Sequence, residues 1–247
     1  MIPLKSEEEL KKLQASGEIL GRVMKDLKKF VVCGISTAEI DRIAEDLIIK
    51  AGAKPAFKGY QGFPATACIS VNEEIVHGIP GERVLCEGDI VGIDLGVKYL
   101  GYFSDAAVTL TIGLVTPQVN KLVEVSRQAL TEGIEVAVAG SNLSDISYRI
   151  QSFVEKNGFS VVRQFVGHGI GLSLHEEPEI PNFGRPHQGP VLKSGMVLAI
   201  EPMVNMGSWE SEILPNGWTA VTRDRLPSAH FEHTIAITEA GPKILTN

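Results

Sequence analysis

The sequence predicts an α+β domain built from two structurally similar halves that share one sheet system. Three observations predict it. A helix, helix, strands order runs through residues 7–112 and returns in 117–238 without repetition of sequence. No Pro- or Ser-rich linker separates the halves, which favours one unit over residues 1–247 against two ordinary domains. Hydrophobic residues make up 44% of the 247 positions, ample for a shared core.

The elements follow in order. Glu7 to about Val32 reads as a helix, because Leu10, Leu13, Gly17, Leu20, Met24 and Leu27 recur at helical spacing. Ser6 and Glu9 supply a capping box at its start. Thr37 to Ala51 is a second helix, capped by Ser36 or Thr37 and stopped by Gly52. Residues 56–80, rich in Gly, Pro and aromatics, read as loop and short strand. Strands follow at 66–71, 89–97 and 100–112, the last two as a hairpin that lets Asp94 and Asp105 face each other. In the second half, 117–139 and 143–157 read as helices. Strands are expected near 161–166, 196–205, 218–222 and 231–238.

The composition excludes several classes. A net charge of −7 is unlike the basic footprint of a nucleic-acid binder. Lys11, Lys12, Lys25, Lys28 and Lys29 alternate with Glu7, Glu8, Glu9 and Glu18, as on a solvated helix face. Cys33, Cys68 and Cys86 are odd in number and form no C-x-x-C, which argues against a disulfide framework or cysteine zinc site and fits a reducing compartment. The first thirty residues carry no signal-type apolar stretch, and no run approaches membrane length. A soluble, cytoplasmic protein is expected, with no membrane partner.

Chemistry is concentrated in a few acidic residues. Asp94 lies within an apolar strand-like run, Glu201 ends another and Glu232 opens a third. An ionised carboxylate in such a run costs several kcal/mol unless a cation or dense hydrogen bonding offsets it. With Asp105 and His168 near similar runs, these residues suggest a shared multivalent cation. The oxygen-rich set of Asp94, Asp105, His168, Glu201 and Glu232 suits manganese, iron(II), cobalt or magnesium better than structural zinc. Four carboxylates balance two divalent ions better than one. Paired ions can activate a water and polarise a carbonyl, and no G-x-S-x-G nucleophile elbow is present. His175 follows His168 across glycines, a spacing that suits a strand and its return rather than two ligands on one ion. We assign His168 to the metal and His175 to substrate polarisation. His77 stands in the comparable context Val76-His77-Gly78-Ile79-Pro80; for both His77 and His175 an ordinary structural histidine is the alternative. His187, His230 and His233 read as structural, with His233 a candidate support for Glu232.

With these residues assembled, the chain resembles the methionine aminopeptidases of the short bacterial type (type I). The resemblance is carried in order by Ala67 to Glu73, Val76 to Pro80, Asp89 to Gly96, Gly101 to Val108, Gly167 to Gly171, His175 to Pro178, Ile200 to Pro202 and Phe231 to Thr234. It implies the pita-bread fold, two pseudo-symmetric halves around a curved antiparallel sheet with helices outside. It implies removal of the initiator methionine from nascent chains when the second residue is small. It also implies that Asp94 binds one divalent ion, that His168 and Glu201 bind the other, and that Asp105 and Glu232 bridge them. The ions would be manganese, iron(II) or cobalt, with zinc a further candidate. Glu201 would serve as general base, while His77 and His175 contact substrate and stabilise the tetrahedral intermediate. The methionine pocket would use Tyr60, Phe63, Cys68, Leu174 and Trp218, with Phe57 at its rim. Ordinary core packing is the alternative for these aromatics. Phe57 and Leu174 depart from common patterns of the family, where a cysteine and a larger aromatic are frequent. Because Ile2 is bulky, the family's rule implies that Met1 is retained. The resemblance further implies a monomer working close to the ribosome.

Rival readings are weaker. Aminopeptidase P and prolidase share the ligand set but usually carry a large N-terminal domain, for which there is no room. Type II enzymes carry a helical insertion for which the stretch between Glu201 and Glu232 leaves no space. A non-catalytic module of the same fold would be expected to have lost its ligands first.

Overall fold

The computed structural model describes residues 2–247, so the expected retention of Met1 falls outside the described residues. Its helices are α1 (Glu7–Leu27), α2 (Thr37–Lys50), α3 (Pro117–Glu135) and α4 (Leu143–Lys156). Each starts where the sequence supplies a cap. The Ser6 hydroxyl accepts from the Glu9 amide while the Glu9 carboxylate accepts from the Ser6 amide. Ser36 caps α2, Thr116 precedes Pro117 at the start of α3, and Asn142 with Asp145 closes α4.

α1 stops at Leu27 rather than near Val32. Beyond it, Lys29 and Phe30 donate to carbonyls only three residues back, and Val31 is buried in the connection while Val32 is exposed. The apolar 30–32 run therefore imitates a last helical turn that the backbone does not make. α3 likewise ends at Glu135, ahead of Gly140 with its positive φ.

The first half pairs Ile90–Tyr99 with Ala67–Val71 on one side and Tyr102–Thr111 on the other, all antiparallel. Leu100 and Gly101 both take positive φ, as a two-residue hairpin requires. The register pairs Asp94 with Ala107 and Gly96 with Asp105. The two aspartates thus share a face but sit diagonally, not directly opposite as expected. In the second half a five-stranded antiparallel sheet runs Gly241–Ile244, His233–Thr238, Val197–Ile200, Val166–Gly169 and Glu176–Pro181.

The expected strands 161–166 and 196–205 are each divided, while 231–238 stands as the single strand His233–Thr238, preceded by the separate Ser228–His230. Val197–Ile200 and Met203–Asn205 belong to different sheets, and so do Ser228–His230 and His233–Thr238. Pro202, which has no amide hydrogen, marks the first break. Glu201 and Glu232 accordingly occupy corners between strands; of the three carboxylates read from apolar runs, Asp94 alone lies inside a strand.

Each half has its own core. α1 and α2 pack Leu20, Leu27, Ile40 and Ile48 on the first sheet, while α3 and α4 pack Leu122, Ala129, Ile146 and Ile150 on the second. The halves meet along Tyr102–Thr111. There Asp105 donates its amide to the Thr234 hydroxyl, which donates to the Asp105 carbonyl, and Glu232 donates its amide to the Ala107 carbonyl. These buried bonds bring Asp105 and Glu232 together at the seam. Among the described residues no helix is long and apolar enough to cross a membrane.

Candidate metal centre

One cavity of about 170 Å³ opens at this seam. The expected ligands, histidines and pocket residues, Asp94, Asp105, His168, Glu201, Glu232, His77, His175, Tyr60, Phe63, Cys68, Leu174 and Trp218, line it with Phe57, expected at the rim, and with Gln61.

Strand parity explains the acidic wall. Cys68 pairs with Asp94 and Asp94 with Ala107, so alternate residues of three strands aim into the same space. One ligand atom each from Asp105, His168 and Glu232 lies within 4.8 Å of the others. His168 Nε2 is 3.6 Å from Glu201 Oε1. His168 Nδ1 lies 2.9 Å from the Gly169 carbonyl, which only accepts. Nδ1 therefore carries the hydrogen and Nε2 presents its lone pair to the cavity.

The electrostatics suit a cation, in whose absence protons take its place. Burial raises the Asp94 carboxyl to about 7 and the Glu201 carboxyl to about 8. Burial first, then the neighbouring carboxylates, pushes Asp105 and Glu232 well above the usual range. Asp94 Oδ1, Asp105 Oδ1 and Glu232 Oε1 are buried without any hydrogen-bond partner. Such orphaned oxygens fit hard divalent cations, which neutralise the charge and fill the empty coordination. Burial also pushes the Cys68 thiol up, so it stays protonated and forms part of the apolar wall.

Two imidazoles face the carboxylates. His77 has φ 59°, a strained conformation for a non-glycine residue that recurs at functional sites. Its ring stands edge-on to Phe165 at 5.4 Å and to Trp218 at 6.5 Å. Burial lowers it to about 4, so it is neutral at pH 7. His175 lies 4.3 Å from His168 ring to ring, and its Nδ1 is 2.8 Å from the Tyr60 hydroxyl. Phe63 and Trp218 meet edge to face at 5.2 Å and close the apolar end.

Sequence reasoning missed His230. It is 3% exposed, and its Nε2 has no hydrogen-bond partner and lies 3.5 Å from Glu201 Oε2. A signal was available: His230 precedes Glu232 by two residues, which share a face in extended chain. Gln61 and Phe165 reach the site through loop geometry, for which no local pattern exists. His233 donates to or accepts from Thr246, away from the acidic wall.

Carboxylates gathered with imidazoles beside an apolar pocket form the kind of donor set a metal-dependent hydrolase uses. The chain belongs to metallopeptidase family M24, whose model matches residues 11–239. It is 54% identical to a methionine aminopeptidase of Clostridium perfringens, over 100% of this chain and 99% of that one. It is 53% identical to methionine aminopeptidase 1 of Bacillus subtilis, with the same coverage. The crystal structure of methionine aminopeptidase from Thermotoga maritima superimposes with a TM-score of 0.98 at 45% identity, covering 100% of both chains. The fold is the pita-bread fold expected from the resemblance.

Proposed function

We propose that this chain, as one catalytic domain over residues 1–247, removes the N-terminal methionine from nascent proteins and peptides when the second residue is small. The observation that carries the reading is the meeting, in one cavity, of four carboxylates, two of them buried, with neutral imidazoles and an aromatic pocket. The full-length likeness to methionine aminopeptidases supports it.

In this reading Asp94, Asp105, His168, Glu201 and Glu232 would together hold two divalent ions. Manganese, iron(II) and cobalt suit the set, with zinc a further candidate. When bound, the ions supply Lewis-acid polarisation of the scissile carbonyl and a lowered pKa for water.

The remaining steps belong to side chains. Phe63, Trp218, Tyr60, Cys68 and Leu174 enclose the methionine side chain, whose soft thioether packs well against aromatic rings. Glu201 takes the proton of the attacking water; burial already biases its carboxyl towards holding one. His175 Nδ1 and the Tyr60 hydroxyl are hydrogen-bonded; in the tautomer in which the hydroxyl donates, Nε2–H is left to hydrogen-bond the developing oxyanion. His77, neutral and held by its strained backbone, contacts the substrate amide from the other side. The natural partners would be nascent polypeptide N-termini near the ribosome, met by a cytoplasmic monomer.

Glu201→Ala tests the assignment. Turnover of a Met-Ala-Ser peptide should fall by about 10²–10⁴ in folded, metal-loaded protein. Wild-type rates in that variant would overturn the role given to Glu201.

A further inference from the structure

Lys5 lies far from the cavity in sequence, yet it is tied to the loop that closes it. Its side chain is 5% exposed and its Nζ is 2.5 Å from Glu176 Oε2, itself on a side chain 12% exposed. Glu176 directly follows His175 and opens the strand Glu176–Pro181. Its other oxygen, Oε1, accepts from the Ser173 amide at 3.1 Å. Gly171 completes the arrangement: it donates to the Ser173 carbonyl and accepts from the Phe103 amide. A Cβ at Gly171 would run into both the Lys5 ammonium and Glu176 Oε1, so a larger residue there would have to displace the pair. Lys5 is in turn fixed by its own amide, which donates to the Gly195 carbonyl at 2.7 Å.

We infer that Lys5 is a positioning residue for the active site, acting through Glu176 on the loop that carries Leu174 and His175. Residues 170–175 form no helix or strand, so that loop is held by these bonds together with the Ile170 amide to the Val197 carbonyl and His175 to Tyr60. A buried ion pair is directional and holds both partners in one geometry; removing the ammonium leaves the Glu176 carboxylate uncompensated, free to swing towards water. Ser173 would then lose its acceptor, and the Leu174 wall and the His175 ring would drift with it. The inference rests on the function proposed above, because its readout is cleavage after methionine.

The test is a double-mutant cycle in metal-loaded protein: wild type, Lys5→Met, Glu176→Met and the pair, with folding verified by circular dichroism at the assay temperature. Lys5→Met should lower kcat/KM for Met-Ala-Ser by roughly ten- to a hundredfold. It should also lower the preference for Met-Ala-Ser over Leu-Ala-Ser, by about threefold or more, because the Leu174 wall loosens. In the Glu176→Met background the same substitution should change kcat/KM by less than about twofold. Ile146→Val, in the far core, serves as a destabilised control and should leave both quantities unmoved. If Lys5→Met does not fold, Lys5→Gln, which keeps a neutral donor, is read in the same way. Unchanged kcat/KM and unchanged preference in a folded Lys5 variant would overturn the inference, as would equal losses in both backgrounds. An inactive wild type would instead overturn the proposed function.

Discussion

Removing the cations should make this protein less stable as the solution becomes more alkaline. The perturbation is exhaustive chelation, followed by thermal unfolding at about pH 6.5 and about pH 8.5. The sign follows from proton binding. Asp94 and Glu201 have ordinary values of 3.8 and 4.5 but are raised by burial to about 7 and about 8. Between those limits the folded state holds protons that the unfolded state has released. Their contribution is complete below the ordinary values and is lost as pH rises through the raised ones. His77, His168 and His233 run the opposite way, lowered from 6.5 to about 4 by burial, and His175 and His230 are lowered too, so they weaken the folded state in acid and their effect fades by about pH 7.5. Across the window the carboxyls outweigh this fading contribution. At about 1.4 kcal/mol per pH unit, the stretch from pH 6.5 to the Glu201 value costs ~2 kcal/mol. For a chain of this size that lowers Tm by roughly 4–8 °C. Asp105 and Glu232, also raised, act in the same direction. Calorimetry at both pH values, with and without added manganese, reads the result. The metal-loaded protein should show a much flatter dependence, because the ions replace the protons. A Tm that is level or rising with pH in the stripped protein would refute the electrostatic reasoning.

Three further outcomes follow. His175→Ala should lower kcat for Met-Ala-Ser by about 10²–10³ with the fold intact, the usual loss for one oxyanion donor; a change under about twofold in steady-state assays would remove it from the mechanism. Trp218→Ala, which strips the edge-on partner of Phe63, should raise KM by roughly ten- to two-hundredfold while changing kcat less, as saturation curves would show. His230→Leu should weaken metal binding by about 10–100-fold in calorimetric titration, because the imidazole facing Glu201 Oε2 is gone; unchanged affinity would make His230 mere packing.

Much of this site was legible because its chemistry is locally improbable. Asp94 announces itself as a charge inside an apolar strand, and the caps Ser6–Glu9 and Thr116–Pro117 mark helix starts by side-chain chemistry alone. The corners were not legible. The run 196–205 stays apolar through Glu201, since both sides of its corner are buried in different sheets. Continuous burial erases the change of direction, and Pro202 was the one residue that betrayed it. His230 was overlooked although its two-residue spacing from Glu232 was visible, because a lone histidine in a buried run reads as core. Diagonal rather than direct pairing of Asp94 with Asp105 depends on the two-residue Leu100–Gly101 turn, whose left-handed Leu100 no propensity predicts.

The central claim is that this cavity removes methionine with the help of divalent cations. It is tested most directly by measuring free methionine released from Met-Ala-Ser and from Met-Ile-Ser by metal-stripped protein, as manganese, iron(II) and cobalt are titrated back separately without oxygen. The account predicts no release before metal, and metal-restored release from Met-Ala-Ser alone. Folded protein that releases no methionine with any of these ions, or that cleaves both peptides equally, would contradict it.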